Sequence, residues 1–293
     1  MPSTAEYARS SSSADGQPWL FAARRAALRV VIPAVLMVFP ASSAAGGGEN
    51  FAEAGQLFIQ NYSVEDYEAY AQNFSIVQSS DDLLYVANAA GVLEHDGVTW
   101  RKIPISNSSV ARALTIGPEG RIFVGAVDEL GYLAPDASGS MAYVSLMDQI
   151  TDPRDRELGH IWSVASTSQG AYFQAYERLI RWDGEKMMVW RTDTRFLAGF
   201  VVGEYLYIHQ QGQGMMRVEG DDLVPAPGGA FFRDKTSEAA VALDEQTFLV
   251  VTAEHGLFRC RTRSCSKQYN LYFNVKIYES GTKILLIKLI MKK

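Results

Sequence analysis

Residues 74–104 read FSIVQSSDDLLYVANAAGVLEHDGVTWRKIP, and this stretch decides the fold. Phe74–Gln78 is a short apolar strand. Ser79-Ser80-Asp81-Asp82 is a turn, because short polar side chains cap their own backbone there. Leu83–Asn88 is a second strand, rich in β-favouring residues. Gly91–His95 is a third, and Asp96-Gly97 marks a hairpin, since glycine tolerates the positive φ of a tight turn. Thr99–Ile103, carrying Trp100, is the fourth. Four antiparallel strands in 31 residues make one small sheet. Such a sheet cannot bury both faces alone and needs copies of itself on either side.

The copies follow. Val110–Leu146 repeats the pattern, with the turn Ile116–Gly120, the strand Arg121–Gly125 and then Gly131-Tyr132-Leu133. Ile161–Trp190 repeats the tandem aromatic strand at Ala171-Tyr172-Phe173, and Trp182-Asp183-Gly184 stands where His95-Asp96-Gly97 stood. Phe196–Val224 is a fainter copy, and a fifth begins at Glu238 and reaches Gly256-Leu257-Phe258-Arg259. Aligning Gly91, Gly131, Arg178, Gly214 and Gly256 gives steps of 40, 47, 36 and 42 residues. That period, with four strands per repeat, predicts an all-β chain: a β-propeller of four-stranded antiparallel blades, about five of them readable.

The residues Phe74, Ile76, Asp82, Tyr85, Ala87, Asn88, Gly91, Val92, Asp96, Gly97 and Trp100 carry a family pattern. It resembles the periplasmic two-component regulator propeller repeats, which form the ligand-binding sensor region of bacterial membrane receptors. The resemblance covers roughly Tyr67 to Phe258, strongest in the first repeat. It implies a sensor that a tyrosine-rich sandwich, one membrane helix and a cytoplasmic output domain would follow. None of these parts is legible in this chain. The resemblance also implies an incomplete ring of blades, and a homodimer in the full-length receptor. The motif positions Tyr85, Asn88, Gly91, Asp96, Gly97, Trp100, Gly131, Trp182, Asp183, Gly184 and Gly256 are read as structural.

The remaining segments read differently. The 293 residues are 47% hydrophobic, ample for a core, and 24 glycines with widespread alternation favour the all-β class. A net charge of −6 argues against a nucleic-acid partner, which wants a basic face. Residues 1–48 read as a polar start and a signal peptide: Arg24, Arg25 and Arg29, then the apolar Val30–Phe39, then small residues at Ala41–Ala45. The apolar run falls short of the ~20 residues that span a bilayer. Periplasmic or secreted localisation follows. Residues 49–73 are a lead-in whose Tyr62, Tyr67 and Tyr70 are expected against the first blade. The blades occupy 74–260. Residues 261–293 are an anomalous tail: 6 Lys and no Arg lie in 267–293, against 3 Lys and 18 Arg before it. This reads as a frameshift, gene break or truncation near Cys265.

Catalytic chemistry is hard to find. His95, His160, His209 and His255 form no ligand pair of metal-site spacing and are read as structural. Cys260 and Cys265 can oxidise in an exported protein, but they stand at the compositional junction and are read as unpaired. No nucleophile elbow, phosphate loop or dinucleotide fingerprint occurs, and no carboxylate pair stands out for glycoside hydrolysis. Catalytic, cofactor and metal residues are therefore expected to be absent. Trp100, Tyr132, Trp162, Trp182 and Trp190 are read as packing between blades rather than as a sugar platform. Met147–Gly159 is longer than a hairpin loop and charged, and it is read as a solvated loop. The expected partner is a small-molecule or oligosaccharide ligand, with membrane contact only through a segment further downstream. Two alternatives stand: a secreted propeller lyase or glycosidase, and an inactive gene fragment.

Overall fold

The structure is a computed structural model and describes residues 60–244, 246–261 and 264–269. The expected leader, the first part of the lead-in and the chain beyond residue 269 lie outside these residues. Blade one is β1 (Asn73–Gln78), β2 (Leu84–Asn88), β3 (Gly91–His95) and β4 (Trp100–Ile103). Blade two is β5 (Ala111–Ile116), β6 (Ile122–Ala126), β7 (Leu130–Pro135) and β8 (Met141–Ser145). Blade three is β9 (Ser163–Thr167), β10 (Gly170–Gln174), β11 (Arg178–Trp182) and β12 (Met187–Arg191). Blade four is β13 (Phe196–Val202), β14 (Tyr205–Gln210), β15 (Gly214–Glu219) and β16 (Asp222–Pro225). Blade five is β17 (Ser237–Ala242), β18 (Thr247–Thr252), β19 (Gly256–Arg261) and β20 (Ser264–Tyr269). Each sheet keeps its strands in chain order and antiparallel. β20 carries the fifth sheet past residue 260, into the stretch whose composition reads as foreign.

The first strands are the inner ones. β1 packs on β5, β5 on β9, β9 on β13 and β13 on β17. Among the described residues no comparable packing joins blade five to blade one, so these five blades do not close into a ring by themselves. The second strands lie between two neighbours and are apolar on both faces: every residue of Ile122–Ala126 is buried. The core is accordingly four slabs between five blades. Tyr85, Ala87 and Val92 meet Leu114, Val124 and Leu133 in the first slab. Phe123 and Leu130 meet Phe173, Ile180 and Trp182 in the second. Tyr172 and Leu179 meet Leu206 and Ile208 in the third, and Phe200 and Tyr207 meet Phe248 and Val250 in the fourth. Each such side chain contributes roughly 1.5–3 kcal/mol on leaving water.

One expectation is corrected and another is qualified. Cys260 and Cys265 face each other across the β19–β20 hairpin and form a disulfide, because the register brings their Cα atoms to 4.0 Å. Met147–Gly159, expected as a solvated loop, is exposed along most of its length but anchored at three buried residues. Ile150 and Leu158 sit in the second core slab, and the Asp155 side chain is only 3% exposed. Asp155 accepts from Arg178 Nε at 3.0 Å and from Arg191 Nη2 at 2.5 Å, which neutralises it as the apolar residues drag it inward.

The lead-in folds against blade one. Ser63 begins α1 (Val64–Tyr67), its N–H donating to Asp66 Oδ2 at 2.6 Å. Tyr62 donates or accepts at His95 Nε2 across 3.0 Å, and its ring meets Trp100 edge-on. Among the described residues no helix is long and apolar enough to cross a membrane.

Candidate functional site

The chain's connections divide between two faces. One face carries the turns inside each blade between first and second strands and between third and fourth. These are tight and self-capped. Asp96 Oδ1 accepts from Val98 and Thr99, Asp136 Oδ1 from Ser138 and Ser140, and Asp183 Oδ1 from Glu185 and Lys186. These donors hold the Asp96 carboxyl at about 2. Gly97 and Gly184, at φ +93° and +107°, complete two of these turns with nothing near a would-be Cβ, so backbone conformation alone demands glycine. The Asp-Gly residues of the motif therefore lie on a face built for turning. The opposite face carries the long blade-to-blade crossovers and the turns between second and third strands.

On this crossover face a row of rings and cations runs across four blades. The Arg112 guanidinium, on β5, lies 4.1 Å from the centre of the Phe74 ring and 4.8 Å from that of Trp162. Trp162, just ahead of β9, meets Tyr176 at 5.1 Å with an interplanar angle of 37°. Arg195, from the β12–β13 crossover, covers Tyr176 at 4.9 Å. His160 lies 5.1 Å from Trp162. Trp162 and Tyr176 are 38% and 39% exposed, so both present ring surface to solvent.

A rigid frame holds the row. Trp162 N–H donates to Gln174 O at 2.8 Å. Gln174, buried at the end of β10, accepts from Ser163 Oγ and donates to Ala175 O and Phe196 O. Phe196 N–H donates to Tyr176 O at 2.6 Å. Asp128 and Gly159 bond reciprocally, N–H to O at 2.7 Å and N–H to Oδ1 at 2.6 Å, which fixes the approach to His160. Burial and the neighbouring Arg112 lower the His160 pKa, against the pull of Asp128. The ring is thus held as a neutral base more readily than a free histidine.

Beside this row lies a cavity of about 310 Å³. The Ser106–Ser109 loop lines it on one side, and Val127, Asp128 and Glu129 of the β6–β7 turn on the other. Asn107, Ser108 and Asp128 hold φ of 59°, 53° and 50°, left-handed conformations that non-glycine residues adopt at a cost. Ser109 Oγ donates to Val127 O at 2.6 Å and closes the loop onto the turn.

The residues chosen from sequence sit elsewhere. Tyr85 fills the first core slab, where burial and then Glu94 push its phenol up. Asn88 Nδ2 donates to Tyr70 O and Asn73 Oδ1, and its Oδ1 accepts from Ala90 N–H, tying turn to lead-in. At Gly91 a Cβ would meet Ile103 O at 2.5 Å, and at Gly131 it would meet Val144 O at 2.1 Å. Gly256 has φ +87° at the start of β19. Trp100 stacks on His95 at 4.2 Å, and Trp182 stacks on Tyr132 at 5.3 Å while donating to Gln149 Oε1. Trp162 departs from the packing role expected of it. His160 lies on the same exposed surface, whereas His95 and His209 are buried. Arg112, Tyr176 and Arg195 went unmarked in the sequence, although Trp162 stands outside the strand alternation of β9, a signal of a side chain not needed for the core.

No protein-family model matches the chain, and no curated protein matches it. Among solved structures it is similar to the WD40 β-propeller domain of Doa1, with TM-score 0.54, 10% identity and coverage of 69% of each chain. It is also similar to a catalytically inactive virginiamycin B lyase from Staphylococcus aureus, with TM-score 0.46, 13% identity and coverage of 61% of this chain and 62% of the lyase. A third is the extracellular domain assigned to a hybrid two component system of B. thetaiotaomicron, with TM-score 0.44 and 13% identity. That alignment covers 63% of this chain but 27% of the other, so the chain spans about a quarter of that domain and under two thirds of the lyase. Extracellular domains of two-component systems are thus among the structures the chain is similar to, and what it shares with them at these identities is the β-propeller fold.

Proposed function

We propose that the chain is an extracytoplasmic sensing propeller of a signal-transduction receptor, recognising a small-molecule or oligosaccharide ligand on its crossover face. The observation that carries this reading is the exposed Trp162–Tyr176 pair, flanked by Arg112 and Arg195 on three different blades. Flat apolar rings with adjacent hydrogen-bonding cations suit a ligand that has both an apolar face and polar edges. A ligand spanning these residues contacts blades two, three and four together and favours whichever blade arrangement it fits. The resemblance of the blade motif to receptor repeats supports signalling as the output, carried by segments other than these blades, with a homodimer as the signalling unit.

Titration with a panel of neutral, acidic and amine-bearing oligosaccharides, followed by tryptophan fluorescence, tests this. A binding member is expected, and Trp162→Ala should weaken it about tenfold or more, ~1.4 kcal/mol, without changing the melting temperature. Binding that survives this substitution unchanged would place recognition elsewhere.

One observation favours a second reading, a propeller lyase or hydrolase: a neutral His160 stands beside Arg112 and Asp128 on the same face. Turnover of a bound oligosaccharide that disappears in His160→Ala would establish it.

A further inference from the structure

We infer that the cavity between the Ser106–Ser109 loop and the Val127–Glu129 turn seats a protonated amine, so that the ligand of the crossover face is an amine-bearing sugar chain. This deepens the recognition reading and rests on it. The carrying observation is Glu129. It is 3% exposed and lines the cavity. Its Oε1 accepts from Tyr143 Oη at 3.0 Å and from Ser145 Oγ at 2.5 Å, both neutral donors. Among the described residues no Lys, Arg or His forms an ion pair with it. Hydroxyl donors orient a carboxylate but do not neutralise it, and a buried charge without a counter-charge is costly.

The surroundings deepen the deficit. Asp128 adds a second carboxylate at the exposed side, and among the described residues no lysine or arginine lines the cavity. His160 does not supply the charge, because burial and Arg112 disfavour its protonated form. Asp155, equally hidden on the next crossover, shows the usual solution with two arginines. Ser106, Asn107 and Ser108 offer hydroxyl and amide groups to polar edges of the same ligand. Asp128, on the cavity wall, accepts from the Gly159 N–H, and the chain runs on from there through His160, 5.1 Å from the Trp162 ring. The inferred ligand lays one sugar ring on Trp162 and a neighbouring amine at the carboxylates. A neutral polyol would satisfy the hydroxyls and leave Glu129 uncompensated.

The test compares chitosan oligomers, their N-acetylated counterparts and cello-oligomers of equal length, titrated calorimetrically into the full chain. About 0.15 M salt screens the general attraction of an acidic protein for polycations. The chitosan oligomer is expected to bind at least about tenfold tighter than the N-acetylated one. Glu129→Gln should bring the two to equal affinity. If that variant does not fold, Asp128→Asn, at the exposed mouth, should narrow the gap several-fold. Equal or tighter binding of an uncharged oligomer overturns the amine while leaving the recognition reading intact. Amine preference untouched by both substitutions overturns the placement. Failure of all three probes overturns the inference, and the Trp162 panel judges the recognition reading separately.

Discussion

Trp162 and Trp182 are the same residue with opposite employment. Trp182 is buried in the second core slab, stacked on Tyr132 and bonded to Gln149. Trp182→Ala removes a large packed side chain and its bond to the exposed Gln149, so a loss of about 3–5 kcal/mol is expected, nearly all of it from packing. Trp162→Ala should stay within about 0.5 kcal/mol of wild type, and urea unfolding of both variants gives the comparison. Gly91 is constrained twice, by φ +122° and by the carbonyl of Ile103. Gly91→Ala is expected to cost about 1–3 kcal/mol, whereas an unshifted urea midpoint would mean that the β3–β4 pair yields easily.

Crossovers do more at this scale than the strands they join. The Met147–Gly159 crossover is fastened by apolar residues beneath and by Asp155 between Arg178 and Arg191. Asp155→Ala takes the buried carboxylate from both arginines, leaving Arg191 with Asp152 at 2.9 Å and Arg178 with Glu177 at 3.6 Å. Arg191 is half-exposed and recovers water, so the expected loss is near the low end of the range for a broken buried pair, about 3 kcal/mol. Equilibrium unfolding measures it, and local proteolysis at Arg154 should accelerate. The 226–236 crossover depends on His209, which is fully buried and accepts from the Ser237 N–H at 3.2 Å, linking β14 to the first residue of blade five. Burial lowers its pKa to about 4. A protonated ring has no lone pair for Ser237, and the unfolded chain takes up the proton near 6.5. Stability is therefore unaffected above about pH 6.5 and falls as pH drops from there towards about 4. Melting curves across that window should show the loss in wild type and a flatter profile in His209→Gln.

At the scale of the molecule these five unclosed blades govern behaviour. Among the described residues each inner blade has two neighbouring blades, but blades one and five have one each. The lead-in covers part of blade one's free face, leaving a cavity of about 330 Å³ over Val86, Leu93 and Trp100. On blade five Leu249, Val251 and Leu257 are only partly buried. Exposed apolar faces of this kind drive association. The chain is expected to bind hydrophobic dyes when native and to sediment above its 32.3 kDa monomer mass as concentration rises. A single monomeric species over the whole range would show that the free faces are covered.

The chain's own letters determined the repeated sheet, because alternation and Asp-Gly turns act within a few residues and recur at a blade's period. Strand boundaries in blade one match the reading to within a residue or so, since Gly91 and Asp96-Gly97 leave the backbone no other course. Tertiary structure alone decided what the surface does. Exposure of Trp162, burial of Asp155, the pairing of Cys260 with Cys265 and the lone charge of Glu129 all depend on residues brought together from different strands and crossovers. A local pattern specifies a strand and its turns. Which side chain meets solvent, and which charge lacks a partner, is set by how neighbouring blades and their crossovers pack, and no single stretch of sequence contains that.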